Sequence, residues 1–340
     1  MSVGGWIVSL KRLARFWSCM CVGIFMIVSM PAFSTTSSHS KTISFERLEH
    51  GQYTVEVTIN GEGPLRFMLD TAASRTSIFN KTSLRLELAQ SGNEMLITGI
   101  TSTGLRPSHT VENLSFAGLN FINHNIVILK DWEDSPSHER LDGILGMDIL
   151  DGLVMKVSHN RSTIKVSNVS KITRSQRRRW TKIHLTDNPY PGQKFGLLFT
   201  YTQLGDLKIP TLFDMGSNFT AINWLSVQGT RMGKERRRLR EEWLVQGSID
   251  SFKPRMRIRF KELDIGGVKL KQHEFLLMDF DNFPINHRGK YPLVIAGIDI
   301  FDGRDFILDL VENNLYVAPR SEKTKVTVRT KPSRIKNRRH

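Results

Sequence analysis

Only two cysteines occur in the 340 residues, and both, Cys19 and Cys21, lie in the first 34. The chain beyond residue 34 therefore has no disulfide and no thiolate metal ligand, and must be held by its own core. The ten histidines are scattered, with no H-E-x-x-H or other paired ligand spacing, so neither a metal nor another cofactor is expected. A G-x-S-x-G nucleophile elbow and a P-loop are both missing. Sustained amphipathic helical periodicity is missing as well, apart from the charged stretch 231–243, "RMGKERRRLREEW", which reads as a solvated helix or loop.

Long apolar runs are equally scarce. The uncharged stretch from Phe16 to Met30 follows Lys11, Arg12 and Arg15 and precedes Ala32-Phe33-Ser34, a small-x-small cleavage site. It is shorter than the roughly 20 residues of a membrane span. Residues 1–34 thus predict a cleaved secretory signal, with an uncleaved membrane anchor as the alternative. Export without cysteine points to the periplasm or cell surface of a bacterium.

Acidic residues are the third shortage, since the formal net charge is +15. The excess is concentrated. Residues 320–340 hold nine Lys or Arg against one Glu, and residues 171–182 hold six with no acid. The remaining chain is close to neutral, so a basic face for nucleic acid is not expected. The tail reads as disordered and suited to an anionic membrane or envelope polymer.

What the chain does have is a doubled pattern. "YTVEVTINGEGPLRFMLD" alternates apolar and polar residues, turns at Asn60-Gly61 and ends at Asp70. "KFGLLFTYTQLGDLKIPTLFD" repeats the plan, turning at Gly205-Asp206 and ending at Asp214. Later in each half, "GILGMDILDG" (143–152) aligns without a gap to "VIAGIDIFDG" (294–303). The resulting division is a lead-in at 35–44, a first unit at 45–167, a basic linker at 168–182, a second unit at 183–319 and the tail at 320–340. Strand patterns dominate both units, which predicts an all-β chain with few short helices.

These motifs resemble the aspartic protease superfamily, as two retropepsin-like β-barrel lobes joined in one chain, the acid protease fold. "DTAAS" (70–74) is similar to the family's aspartate loop, and "DMGS" (214–217) is similar with one departure. Ile144-Leu145-Gly146 and Ile295-Ala296-Gly297 resemble the strand that packs behind each loop. Taken with the signal, the resemblance implies an exported aspartic endopeptidase acting on peptide or protein as a monomer, with Asp70 and Asp214 as its catalytic carboxylates. Two aspartates close together cannot both ionise; they share a proton, so one can take a proton from water while the other gives one to the substrate.

The loop residues beside them have expected supporting roles. Thr71 would bond across the pseudo-twofold axis, which Met215 cannot do. Ala72, Ala73 and Gly216 are small enough for a tight turn, and Ser74 closes the first motif. Ser217 would reach the outer oxygen of Asp214. Asp148, Asp151, Asp299 and Asp302 are read as surface or turn carboxylates that hold a helix start. Segments 98–108 and 244–254 are read as flap hairpins, neither with a tyrosine. Met215 motivates a second reading, a catalytically inactive scaffold of the same fold that binds a peptide or envelope component.

Overall fold

The computed structural model describes residues 38–88, 93–98, 103–131, 141–191, 196–228, 243–246, 252–280, 283, 290–301 and 303–320. The predicted signal, residues 231–242, Asp302 and the tail beyond Arg320 lie outside them.

After β1 (Ser40–Ser44), the first half contributes β2 (Glu46–Arg47), β3 (Tyr53–Ile59), β4 (Glu62–Leu69), β5 (Ser77–Phe79), β6 (Glu94–Thr98), β7 (Thr103–Phe116), β8 (Leu119–Leu129) and β9 (Gly143–Leu145). Their order is β2-β3-β4-β9-β5-β8-β7-β6, and β3 also pairs with β7, which closes six strands into a barrel. The alternation seen in the sequence drives this. Val55, Val57 and Ile59 of β3 and Leu65, Phe67 and Leu69 of β4 point into one core, while Glu56 stays exposed. Asn60 and Gly61 both take positive φ, 51° and 85°, as a tight two-residue hairpin turn demands.

The chain then forms β10 (Val154–Ser158), β11 (Thr163–Ser167) and β12 (Thr181–His184) before the plan recurs. The second half supplies β13 (Phe199–Leu204), β14 (Leu207–Phe213), β15 (Ala221–Ile222), β16 (Trp243–Gln246), β17 (Phe252–Ile265), β18 (Val268–Leu277) and β19 (Val294–Ala296). Their order is β13-β14-β19-β15-β18-β17-β16, closed by β13 with β17. Strand for strand this repeats the first barrel, down to the parallel pairs β4–β9 and β14–β19. The last strands of the described residues are β20 (Phe306–Asp309) and β21 (Asn314–Val317).

A third sheet draws on both halves, in the order β1-β11-β10-β20-β21-β12. β10 and β20 pair antiparallel at its centre, Val154 opposite Asp309. The order is symmetric about that pair. Each half gives the sheet one strand before its barrel and a hairpin after it. The described residues also hold four short α-helices, α1 (Asn80–Arg85), α2 (Met147–Leu150), α3 (Arg174–Arg179) and α4 (Trp224–Val227), and two 3-10 turns, His159–Arg161 and Ile298–Phe301. The expected all-β acid protease fold is present.

Two segments differ from their sequence reading. Ser40–Ser44, read as part of a polar lead-in, is strand β1 paired with β11; only Ile43 is even partly buried, so an edge strand was masked by its polarity. The basic segment 168–182 holds α3, started by a capping box between Thr173 and Gln176, and then the first residues of β12. Ile172 and Trp180 pack with Val154, Ile307 and Tyr316 of the shared sheet, while the arginines of α3 face solvent. The segments read as flaps begin and end as paired strands, β6 with β7 and β16 with β17, whose connecting residues 99–102 and 247–251 lie outside the described set.

Candidate active site

β4 ends at Leu69, and the next amide, of Asp70, donates to Leu145 O of β9 at 3.1 Å. β14 ends at Phe213, and the amide of Asp214 donates to Ala296 O of β19 at 2.9 Å. Ile144 and Ile295 lie in those same strands, buried. The parallel strand in each barrel thus fixes where the aspartate leaves the sheet. Gly146 and Gly297 follow at once, and a methyl group on either would collide with the loop. A Cβ on Gly146 would lie 2.6 Å from Arg75 C and 2.8 Å from Ala73 O; one on Gly297 would lie 2.7 Å from Phe219 C and 2.8 Å from Ser217 O.

Each carboxylate is pinned in the same manner. Oδ1 of Asp70 accepts from Ala72 N at 2.8 Å and Ala73 N at 3.1 Å. Oδ1 of Asp214 accepts from Gly216 N at 2.8 Å and Ser217 N at 3.0 Å. Ser74 is half-buried in the same loop as Asp70. The two loops meet face to face: a Cβ on Gly216 would lie 2.5 Å from Cγ of Asp70. Across this junction Thr71 donates its hydroxyl to Phe213 O at 2.8 Å and accepts from Met215 N at 3.0 Å. Gln52, 6% exposed, reaches over from the first barrel with its Nε2 3.4 Å from Gly216 O.

Met215 has no hydroxyl to return the brace, and its side chain is instead fully buried in the common core. The expectation for Ser217 is not met. Its hydroxyl donates to Phe219 O at 2.7 Å, inside its own turn, and Asp214 takes the Ser217 amide instead.

Burial is the chief influence on both carboxyls and raises both above the ordinary aspartate value of 3.8. For Asp70 it is opposed by the amides of Ala72 and Ala73 and by a hydrogen bond from Asp214. For Asp214 the nearby charge of Asp70 adds to burial, against the Ser217 and Gly216 amides, and lifts it well above 3.8. Burial thus favours the protonated form of both carboxyls, more strongly at Asp214.

Sequence reasoning missed the layer beneath. Asp148, read as a surface or turn carboxylate, has a side chain only 7% exposed. It accepts from Thr76 N at 2.8 Å and Thr76 Oγ1 at 2.7 Å, and lies 3.0 Å from His124 Nε2. Asp299 repeats this with Thr220 N at 2.9 Å, Thr220 Oγ1 at 2.7 Å and His273 Nε2 at 2.8 Å. The matched Asp148 and Asp299 were the available signal; each is spent on the aspartate loop of its own half and not on a helix start. Asp151 fits its turn reading, exposed and accepting from Gly152 N. Among the described residues no group of three or more His, Cys, Asp or Glu side chains is arranged to hold a metal ion.

Residues 55–149 match a family model described as aspartyl protease. That stretch contains Asp70 and Gly146 and ends before Asp214. The match supports an aspartyl protease family, and with it a peptidase, for this chain. No curated protein matches the chain.

Proposed function

We propose that the protein is an exported aspartic endopeptidase of two lobes, in which Asp70 and Asp214 activate one water between them. The single observation that carries this is the meeting of the two loops, each carboxylate held on one oxygen by two amides and turned toward the other. Ionised Asp70 takes a proton from the water as its oxygen attacks the scissile carbonyl carbon. Asp214 gives its proton to the carbonyl oxygen, which yields a neutral tetrahedral diol. Collapse of the diol breaks the C–N bond; the proton gained by Asp70 passes to the leaving nitrogen, and Asp214 recovers one from the diol. Burial serves this chemistry, because it keeps one of the two carboxyls protonated where a free aspartate would be ionised.

The inactive-scaffold reading rests on Met215, and its ground is weakened. Thr71 alone donates to one buried backbone group of the opposite loop and accepts from another, and Met215 is accommodated as a core residue. The test is cleavage of a mixed peptide library by the secreted chain between about pH 3 and pH 7, the range a shared-proton pair would titrate in. Asp70→Asn and Asp214→Asn are each expected to abolish turnover while circular dichroism and thermal melting show a folded chain. Wild-type turnover in either variant would overturn the mechanism. Export is tested separately, by recovery of the chain outside the cytoplasm with and without residues 1–34.

A further inference from the structure

The two aspartate loops have diverged almost completely. "DTAASRT" (70–76) and "DMGSNFT" (214–220) share only the aspartate and the threonine six residues later. The strands that support those threonines have diverged further. Val127 of β8 and Leu276 of β18 occupy corresponding places, beside Ser77 and Ala221. With the strands aligned on that register, "FINHNIVIL" (121–129) and "LKQHEFLLM" (270–278) share one residue, His124 with His273. Among the residues that persist in both halves are three that meet at one carboxylate: threonine and histidine, both bonded to the aspartate of the Gly-x-Asp segment.

The direction of the hydrogen bonds in this cluster is fixed. Gly146 N donates to Thr76 Oγ1 at 3.1 Å, so the threonine's own proton goes to Asp148, which also takes the Thr76 amide. An ionised carboxylate only accepts, so His124 must donate from Nε2 to Oδ2 at 3.0 Å. The same arrangement runs from Gly297 N, 3.2 Å from Thr220 Oγ1, through Asp299 to His273. From the clamp the path to each reacting carboxylate is short. Met147 N donates to Ala73 O at 2.8 Å and Ala73 N donates to Asp70; Ile298 N donates to Ser217 O at 3.0 Å and Ser217 N donates to Asp214.

We propose that His124 and His273 are positioning residues for peptide hydrolysis, each orienting a buried aspartate that clamps one catalytic loop at its threonine. The proposal rests on the reading of Asp70 and Asp214 as the reacting pair. The histidine holds Oδ2, so that the carboxylate keeps its face to the threonine amide and hydroxyl, and the loop keeps the two amides aimed at Oδ1 of the reacting aspartate. Neither histidine touches substrate. Its loss should therefore lower kcat and leave KM in place, since misplacing a catalytic group by a fraction of an ångström is costly to the transition state.

The test uses the full chain and a fluorogenic peptide taken from the library. His124→Ala and His273→Ala are each expected to lower kcat about tenfold with KM unchanged, and glutamine, which offers a donor nitrogen, is expected to restore most of that loss. His124→Leu replaces the alanine variant should that one fail to fold. A kcat for the folded alanine variants within about twofold of wild type, even with a lowered Tm, would mean that the histidines only stabilise the fold. Failure of glutamine to restore kcat would equally overturn the proposal. If the wild-type chain cleaves no peptide, the proposed function falls, and the positioning role is then read from the carbon-13 carboxyl titrations of Asp70 and Asp214. Midpoints that move in the alanine variants and return with glutamine would uphold the clamp on Asp70 and Asp214 without a role in hydrolysis, and unmoved midpoints would end both.

Discussion

At the scale of single residues, the burial of Asp214 links the site to stability. Its folded pKa lies above the unfolded value, so the carboxyl's contribution is fully present below about pH 4 and is lost as pH rises through the folded value. An asparagine cannot ionise. Asp214→Asn is therefore expected to gain Tm relative to wild type as pH rises from about 3.5 to 7, a comparison made by differential scanning calorimetry. A difference that stayed constant across that range would show that Asp214 is not held protonated by burial. Residues of this kind were legible in part. Asp70 and Asp214 stood out because an apolar strand that stops at a carboxylate is costly unless the carboxylate is used. The partners of Ser217 and Asp148 were not legible, because a hydroxyl or carboxylate bonds whatever the fold brings near, and nothing local to residues 76, 124 and 148 announces their meeting.

Among elements, the short parallel strands β9 and β19 have an influence beyond their three residues each. They hold the aspartate amides through Leu145 and Ala296 and deliver a glycine directly beneath the loop. Gly146→Ala would press a methyl into Arg75 C and Ala73 O, backbone atoms that cannot rotate away. It is expected to cost about 1–3 kcal/mol of stability, as overpacking of a filled site does, and to depress kcat by disturbing the Ala73 amide. Urea unfolding and kinetics on the same sample check both; an unchanged midpoint would show that the loop can yield. These glycines were readable from the sequence because the two copies align without a gap. β1 was not: a strand whose partner lies more than a hundred residues away, and whose side chains are mostly polar, carries no period to detect.

On the scale of the whole molecule, the shared sheet makes the barrels interdependent. β10 and β20 pair directly, and one apolar cluster includes residues of both barrels. Residues 38–320 should unfold in a single transition, with calorimetric and van't Hoff enthalpies equal; two resolved transitions would mean that each barrel is stable alone. His159 sits at this junction, beneath the Tyr53 hydroxyl at 2.8 Å and against Phe306 of β20. Burial, aided by Arg47, lowers it to about 4, so it resists charging until the medium is more acidic than an ordinary histidine requires. Since the unfolded chain takes up that proton first, stability falls as pH drops from about 6.5 to 4. The joining of both halves in one chain also bears on Thr71 and Met215. In a symmetric assembly of identical subunits any substitution is made twice, so losing the threonine would strip both sides of the junction at once. Here the two copies are free to drift apart, and one threonine can retain the junction while its counterpart becomes filler for the core.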